Sequence, residues 1–490
     1  MKIAFLASEC YPYVKAGGLA DVTAALPIHL GKRGHQIKVF LPFYNLIDKD
    51  SFGIKKVNLP GNCGVNIGNS FEAFELYTAG EEVYFIKNER YYNRSKIYTD
   101  DNDEDERYIF FQYATLYALK AINWKPDIIH CNDWQTGLVP VILKKKFNSD
   151  SFYSSIRTVF TIHNIAYQGN FPKESLLKAG FAEAEFIPGG SLEFNGLFSF
   201  MKAGISEADV ITTVSPTYAC EIQTPEYGCG MEGVLQNRHN KLFGILNGID
   251  DEVWNPAKDK YLTYKYTLEN VEQKKLNKYE LILHSGFNAH LDKPLIGIVS
   301  RLVWQKGFDY LRDIADILMQ NDIMLVVLGE GEKRYEDFFK DLEKKYSKKV
   351  RVYLEFNDKL SHLITAGSDI FLMPSRYEPC GLNQMYSLKY GTLPIVRKTG
   401  GLADTVKDYD EYGNRANGFS FTGDSSESLL KKILFVIELF EDKEVWLILM
   451  KNGMQENFSW DVSARKYEEI YSLVLNNFYG SSNELPREGT

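Results

Sequence analysis

Leu393-Pro394-Ile395-Val396-Arg397-Lys398-Thr399-Gly400-Gly401-Leu402-Ala403-Asp404 decides the fold: an apolar strand-like run, a glycine pair, then the opening of a helix-like run. The same word, Gly17-Gly18-Leu19-Ala20-Asp21, stands near the N-terminus behind Lys2-Ile3-Ala4-Phe5-Leu6-Ala7. A glycine pair between strand and helix lets the backbone come close to a ligand. Its amides, with the helix N-terminus, make an anion site. One such site in each half suggests a single phosphorylated ligand shared by two Rossmann-like domains. The word is short and Gly-Gly is common in turns, so its weight comes from the residues around it.

At 490 residues the chain exceeds one ordinary core, and two domains are expected. Its 44% hydrophobic and 25% charged residues are those of a globular protein. A formal net charge of -9 argues against nucleic acid or an anionic membrane as partner, so any phosphate site must be built locally. The cysteines Cys10, Cys63, Cys131, Cys220, Cys229 and Cys380 form no Cys-x-x-Cys pair and nothing resembles a signal peptide, which points to reduced thiols in the cytoplasm. The histidines show no metal spacing, and no apolar run reaches transmembrane length. The 31 Phe and 31 Tyr fill a core or, in part, offer exposed platforms to a glucan; composition does not separate the two.

Short apolar runs alternate with helical patterns. Strands are expected at Lys2–Ala7, Ile37–Leu41, Val83–Lys87, Asp127–His130, Thr158–His163 and Asp209–Val214, with helices such as Leu19–Leu30 and Ile109–Ala121 between them. The acidic run Asp100–Glu106 reads as a solvated loop. Leu246-Asn247-Gly248-Ile249-Asp250 closes the first series, and Asp251–Lys260 reads as a linker. A second series follows: Leu295–Ser300, Met324–Leu328, Val350–Leu354, Asp369–Met373 and Leu393–Arg397. Val462–Asn476 is an amphipathic helix, and Gly480–Thr490 reads as a frayed tail.

Five stretches carry chemistry. Lys15, just before Gly17-Gly18, can set its ammonium over a phosphate held by the amides, although a lone surface lysine is commonly only solvated. Ser300-Arg301-Leu302-Val303-Trp304-Gln305-Lys306-Gly307 follows a strand and opens a helix. Arg301 and Lys306 could both aim at a diphosphate from the C-terminal edge of a sheet, or simply flank a helix. Glu378, in Pro374-Ser375-Arg376-Tyr377-Glu378-Pro379-Cys380-Gly381-Leu382-Asn383, cannot bind phosphate because like charges repel. It can accept hydrogen bonds from sugar hydroxyls, or serve only as an acid at a helix N-terminus. His163 and Asp133 each end a strand; the alternatives are a hydrogen-bonded structural histidine and a helix-capping aspartate.

Taken together, Lys15–Val22, His130–Gly137, His163–Gly169, Ile222–Gly233, Asn247–Asp250, Ser300–Asp309 and Glu378–Val406 resemble the bacterial glycogen synthase and plant starch synthase family, in order along nearly the whole chain. The resemblance implies an α/β protein of the GT-B fold, two Rossmann-like domains facing each other across a deep cleft. The domains would run 1–250 and 251–460, with a C-terminal helix in 461–490 crossing back to the first. It implies a retaining glucosyltransferase that moves glucose from ADP-glucose to the non-reducing end of an α-1,4-glucan and needs no metal or other cofactor. By the family pattern, Lys15 and the Gly17-Gly18 amides contact the sugar nucleotide, with Thr399, Gly400 and Gly401. Arg301 and Lys306 fall on its diphosphate. Glu378, with the Cys380, Gly381 and Leu382 amides, falls on the glucosyl unit, with His163 beside it and Asp133 nearby.

One departure is plain: where the family commonly has Gly-Tyr after the strand Val350–Leu354, this chain has Glu355-Phe356. Phe356 can still stack on adenine without a phenol hydroxyl. A UDP-sugar transferase and an inactive glucan-binding homologue are the alternatives; a glucan phosphorylase is disfavoured because no pyridoxal-binding lysine context is recognisable. The split of site residues between the halves leads to the expectation that the domains close on the donor. The start at Met1-Lys2-Ile3 leads to the expectation of no plastid transit peptide. The sequence leaves homo-oligomerisation open.

Overall fold

The computed structural model describes residues 1–288 and 290–479, with side chains to residue 476; the tail 480–490 lies outside the described residues. The chain forms two compact units. One comprises Met1–Val214, Ala219–Ile245 and the segment from Trp460 onward; the other comprises Ser215–Tyr218 and Leu246–Ser459.

The strands of the two large sheets are numbered here along the chain. In the first unit they are β1 (Lys2–Leu6), β2 (Gln36–Pro42), β3 (Lys55–Val57), β4 (Glu75–Ala79), β5 (Val83–Lys87), β6 (Ile128–Asn132), β7 (Arg157–Ile162), β8 (Val210–Thr213) and β9 (Leu242–Gly244). Their order is β9-β8-β7-β6-β1-β2-β5-β4-β3. From β9 to β5 every neighbouring pair is parallel; β4 and β3 add an antiparallel edge. Strands of the parallel part are buried on both faces, which is why they read as continuous apolar runs: Ile3, Ala4, Phe5 and Leu6 are all fully enclosed. The edge strands β3 and β4 carry little such signal.

The second unit holds β10 (Leu295–Val299), β11 (Met324–Leu328), β12 (Val350–Tyr353), β13 (Ile370–Met373), β14 (Leu393–Arg397) and β15 (Phe419–Phe421), in the order β12-β11-β10-β13-β14-β15 and parallel throughout. Its core sets Ile296, Ile298, Leu325, Val327 and Ile395 against helix residues such as Leu311, Phe339 and Ile433. Each sheet reverses its strand order once, between β1 and β6 and between β10 and β13. Ligands of open α/β sheets bind beyond the carboxyl ends of the strands at that reversal.

Two expectations are corrected. The acidic run is not wholly a solvated loop: Glu104, Asp105 and Glu106 form the first turn of the helix Glu104–Ala121, and Glu104 and Asp105 are buried. Negative charge is favourable at a helix N-terminus, and each carboxylate has a cation. Glu104 pairs with the fully buried Arg107, Asp105 with Lys178 at 3.0 Å, and Glu106 with Lys178 and Arg90, both at 3.0 Å. Nor is Asp251–Lys260 a bare linker. The Trp254 ring stacks on His362 at 3.8 Å and on Tyr386 at 3.9 Å. Asp259 Oδ2 accepts from His362 Nδ1 at 2.7 Å and from the Tyr390 hydroxyl at 2.5 Å. The turn residues hid this because an aromatic and a buried carboxylate find partners that are distant in sequence.

The C-terminal helix, Trp460–Tyr479, belongs to the first unit. The Tyr471 hydroxyl meets His130 Nδ1 at 2.7 Å, and Glu468 takes Arg33 Nη2 at 2.5 Å. Among the described residues no helix is long and apolar enough to cross a membrane.

The buried Arg107 guanidinium also donates to the Tyr91 and Ile97 carbonyls, at 2.8 and 3.1 Å. Arg107→Ala leaves the buried Glu104 carboxylate without its cation, held only by Thr99, and takes a donor from each of those carbonyls. It should cost about 3–5 kcal/mol, read as a fall in denaturation midpoint. Arg312→Ala, at an exposed ion pair, should change the midpoint little.

Candidate functional site

In the first unit, the carboxyl ends of β1, β6 and β7 carry Lys15, Asp133 and His163. Asp133 has φ 55° and ψ -177°, outside the ordinary regions for a residue with a side chain. The fold enforces this: Asp133 N–H donates to the Thr161 carbonyl at 2.9 Å, and the carboxylate accepts the His163 N–H at 2.7 Å. Burial pushes the Asp133 carboxyl up to about 7, against the lowering effect of the His163 and Asn164 N–H groups; the nearby Glu9 charge adds to the rise.

His163 is held neutral, its pKa lowered to about 3 by burial. Asn132 fixes its tautomer. Asn132 Nδ2 donates to the Leu6 carbonyl at 2.9 Å, so Oδ1 is the atom facing His163 Nε2 at 2.9 Å. Nε2 therefore carries the proton. Nδ1 is left as an acceptor and meets no hydrogen-bond partner among the described residues. Asp133 and His163 thus form one constellation; Asp133 is no simple helix cap, since its carboxylate holds the β7 loop.

Lys15 Nζ lies 2.7 and 2.8 Å from the two oxygens of Asp21 and stays half-exposed. The preceding loop is organised by Glu9, which the sequence reading missed: its Oε2 accepts the Ala16 N–H at 2.5 Å and the Gly17 N–H at 2.8 Å.

In the second unit the two sides of the strand-order reversal meet. Lys306, after β10, places Nζ 2.6 Å from Glu378 Oε2, after β13; the Ser375 hydroxyl donates to the same oxygen at 2.9 Å. Glu378 Oε1 takes no hydrogen bond among the described residues. Arg301 is exposed and its guanidinium makes no ion pair among the described residues.

The two copies of the glycine word are not equivalent. A Cβ at Gly18 would meet no atom within 4 Å, and at Gly17 the nearest is Glu9 Oε1 at 3.6 Å. At Gly400 (φ +44°) a Cβ would stand 2.0 Å from the Glu378 carbonyl oxygen, and at Gly401 2.1 Å from that of Cys380. The Gly401 N–H donates to the carbonyls of Glu378 and Pro379, at 3.1 and 3.2 Å. The second pair is required so that the turn after β14 can lie against the Glu378–Cys380 loop. Thr399 begins that turn, its carbonyl accepting from Leu402 and Ala403 at 3.1 and 3.2 Å.

Gly381, with φ +72°, turns the chain into Leu382 and the helix Asn383–Lys389. Cys380 is buried and its thiol is pushed up to about 12, chiefly by desolvation, so it is no nucleophile. Beside it lies Asn247, another residue the sequence reading did not single out. Its side chain is buried, and Oδ1 has no hydrogen-bond partner among the described residues. The only sequence signal was its place in the Asn247–Asp250 turn. Phe356 is 83% exposed in the loop after β12 and is no part of the core.

Residues 2–237 match the family described as starch synthase catalytic domain, and residues 283–446 match glycosyl transferases group 1. The chain is 44% identical over 483 residues to glycogen synthase of Pseudothermotoga lettingae, covering 97% of this chain and 99% of that one. It is 45% identical over 482 residues to glycogen synthase of Geotalea daltonii, with coverage of 97% and 99%. Among solved structures, the catalytic domain of starch synthase IV from Arabidopsis thaliana, bound to ADP and acarbose, superposes with a TM-score of 0.88 at 32% identity, covering 97% of this chain and 99% of that one. Sucrose-phosphate synthase from Thermosynechococcus elongatus (TM-score 0.61, 16% identity, coverage 97% and 99%) is similar in fold alone. The fold is α/β of the GT-B kind.

The Asp133 carboxyl supplies a pH test. Its folded pKa of about 7 stands above the unfolded value near 3.9, so between those values the folded state holds the extra proton. Its contribution to stability therefore falls as pH rises through that window. Asp133→Asn should melt higher than wild type at pH 8, by on the order of 1–3 kcal/mol, with the advantage vanishing toward pH 4. A melting difference equal at both pH values would contradict the assignment.

Proposed function

The chain belongs to the glycogen synthase and starch synthase family, and from that premise we propose that it transfers glucose from ADP-glucose to the non-reducing end of an α-1,4-glucan with retention of configuration. The observation that carries this reading is the meeting of Lys306 and Glu378 at 2.6 Å, with Arg301 unpaired on the same loop, at the strand-order reversal of the second unit. Two cations there suit a diphosphate leaving group. A carboxylate with one uncommitted oxygen suits a sugar's hydroxyls.

In the proposed reaction the bond from glucose C1 to the diphosphate oxygen breaks and a bond from C1 to the acceptor's 4-oxygen forms on the same face. The acceptor's hydroxyl proton passes to the departing diphosphate, leaving ADP and a glucan longer by one unit. Arg301 and Lys306 stabilise the charge growing on the leaving group. Glu378 is a poor nucleophile because one oxygen is bound to Lys306 and Ser375; it orients the glucosyl unit through Oε1. Neutral His163 accepts a hydroxyl hydrogen bond at Nδ1, and Asp133 positions it. Lys15, with the glycine loop, binds the sugar nucleotide, and Phe356 stacks on adenine. The reading includes a cytoplasmic setting, which the free cysteines among the described residues support.

Turnover of ADP-glucose against UDP-glucose with glycogen as acceptor, with the anomeric form of the product determined, tests the proposal. Preference for UDP-glucose would reassign the donor. No turnover of either would leave a glucan-binding homologue.

Arg301→Ala should lower kcat on the order of 10²-fold or more, the scale for a removed oxyanion donor. Because Arg301 supports no other residue, the melting temperature should hold. Lys306→Ala should lower both, since it also strands the buried Glu378. Phe356→Ala should raise KM for ADP-glucose by a factor worth about 1–3 kcal/mol, as for base stacking, with stability unchanged. Unchanged KM would remove Phe356 from the nucleotide site.

A further inference from the structure

Glu9 lies three residues beyond β1, is 3% exposed, and has both carboxylate oxygens engaged, one by its own loop and one by Tyr98. Oε2 accepts the Ala16 and Gly17 N–H groups at 2.5 and 2.8 Å. Oε1 accepts the Tyr98 hydroxyl at 2.9 Å, and that hydroxyl lies 2.8 Å from Ser8 Oγ. On the other side of Lys15, Cys10 and Val14 exchange two backbone hydrogen bonds, each 3.0 Å, and Tyr11 N–H donates to the Ala20 carbonyl at 3.1 Å. The Lys15 backbone is thus pinned on both sides, at Val14 and at Ala16, while its side chain reaches out to Asp21.

A buried carboxylate receiving two consecutive amides uses the loop's anion-binding geometry on an anion of the protein's own. The register matters. The Ala16 and Gly17 N–H groups are engaged, whereas those of Gly18 and Leu19 donate to nothing among the described residues. They open the fourteen-residue helix Leu19–Lys32. The Glu9 charge would repel a diphosphate, and its hydrogen-bonding capacity is already committed, so it is ill-suited to touch the donor.

The geometry points to Glu9 as a positioning residue: it folds the loop in advance, keeps the Ala16 and Gly17 amides for itself, and leaves Lys15 with the Gly18 and Leu19 amides for a donor's phosphate. This rests on the reading of ADP-glucose as donor, and it moves the phosphate contact by one residue from the Gly17-Gly18 pair to Gly18-Leu19. Glutamine at position 9 would keep an oxygen for the two amides and turn an N–H₂ toward Tyr98, whose hydroxyl can accept while donating to Ser8. Alanine would release the loop.

The test measures initial rates against ADP-glucose, ADP binding by calorimetry, and amide hydrogen exchange without ligand, for wild type, Glu9→Ala, Glu9→Gln and Tyr98→Phe. In Glu9→Ala, KM for ADP-glucose and Kd for ADP should rise about tenfold or more, with kcat within about threefold, and exchange at Ala16 and Gly17 should become fast. Glu9→Gln should restore protection and most of the affinity. Tyr98→Phe should raise KM about two- to threefold. Melting-temperature loss in Glu9→Ala with KM and exchange unchanged would overturn the inference. If Glu9→Ala does not fold, Tyr98→Phe decides: an unchanged KM overturns it. Failure of the donor reading has its own signature, a wild type that binds no ADP although Ala16 and Gly17 are protected.

Discussion

Two backbones in the second unit touch with no room for a methyl group between them. The turn after β14 passes so close to the Glu378–Cys380 loop that a Cβ at Gly400 or Gly401 would overlap a carbonyl oxygen at about 2 Å. That contact fixes the loop after β13 from one side. Gly307 fixes it from the other, since a Cβ there would stand 2.0 Å from the Pro374 carbonyl oxygen. Three loops that follow β10, β13 and β14 are thereby locked together by backbone shape alone. The position of Glu378 against Lys306 follows from that lock.

Each unit pairs a site cation with a carboxylate, Lys15 with Asp21 and Lys306 with Glu378, and the environments differ. The first pair is partly open to water, so solvent screens it and its bond exchanges at little cost. The second is largely enclosed, with side-chain exposures of 17% and 9%. Separating it would strand a charge in a poor solvent. The Lys15 ion pair is thus the easier of the two to exchange for another anion, and under the proposed function Lys306 would serve the leaving group without letting go of Glu378. Arg301 is exposed and has no ion-pair partner among the described residues.

Most of this was legible in the sequence where it rests on local patterning. Fully buried parallel strands announce themselves as apolar runs, and the residues at their carboxyl ends fall where open sheets hold ligands. The edge strands β3 and β4, the helical acids Glu104–Glu106 and the packed segment around Trp254 were not legible. Their states depend on partners far away in sequence: Lys178 for Asp105, His362 and Tyr390 for Asp259. The glycine repeat misled in part. Identical words serve an open loop in one unit and a steric contact in the other, a difference set by the surroundings. Glu9 and Asn247 escaped because a single acid and a single amide carry no periodicity. Their significance appears only when both oxygens of one, and the stranded oxygen of the other, are traced.

The helix Trp460–Tyr479 closes the first unit, yet it is the last part of the described chain to be made. During synthesis the second unit has all six of its strands once Phe421 has left the ribosome. The first unit, whose sheet is finished by Gly244, must wait a further two hundred or so residues for Tyr471 to reach His130. The half of the described chain that is made first is the half whose packing includes its last helix.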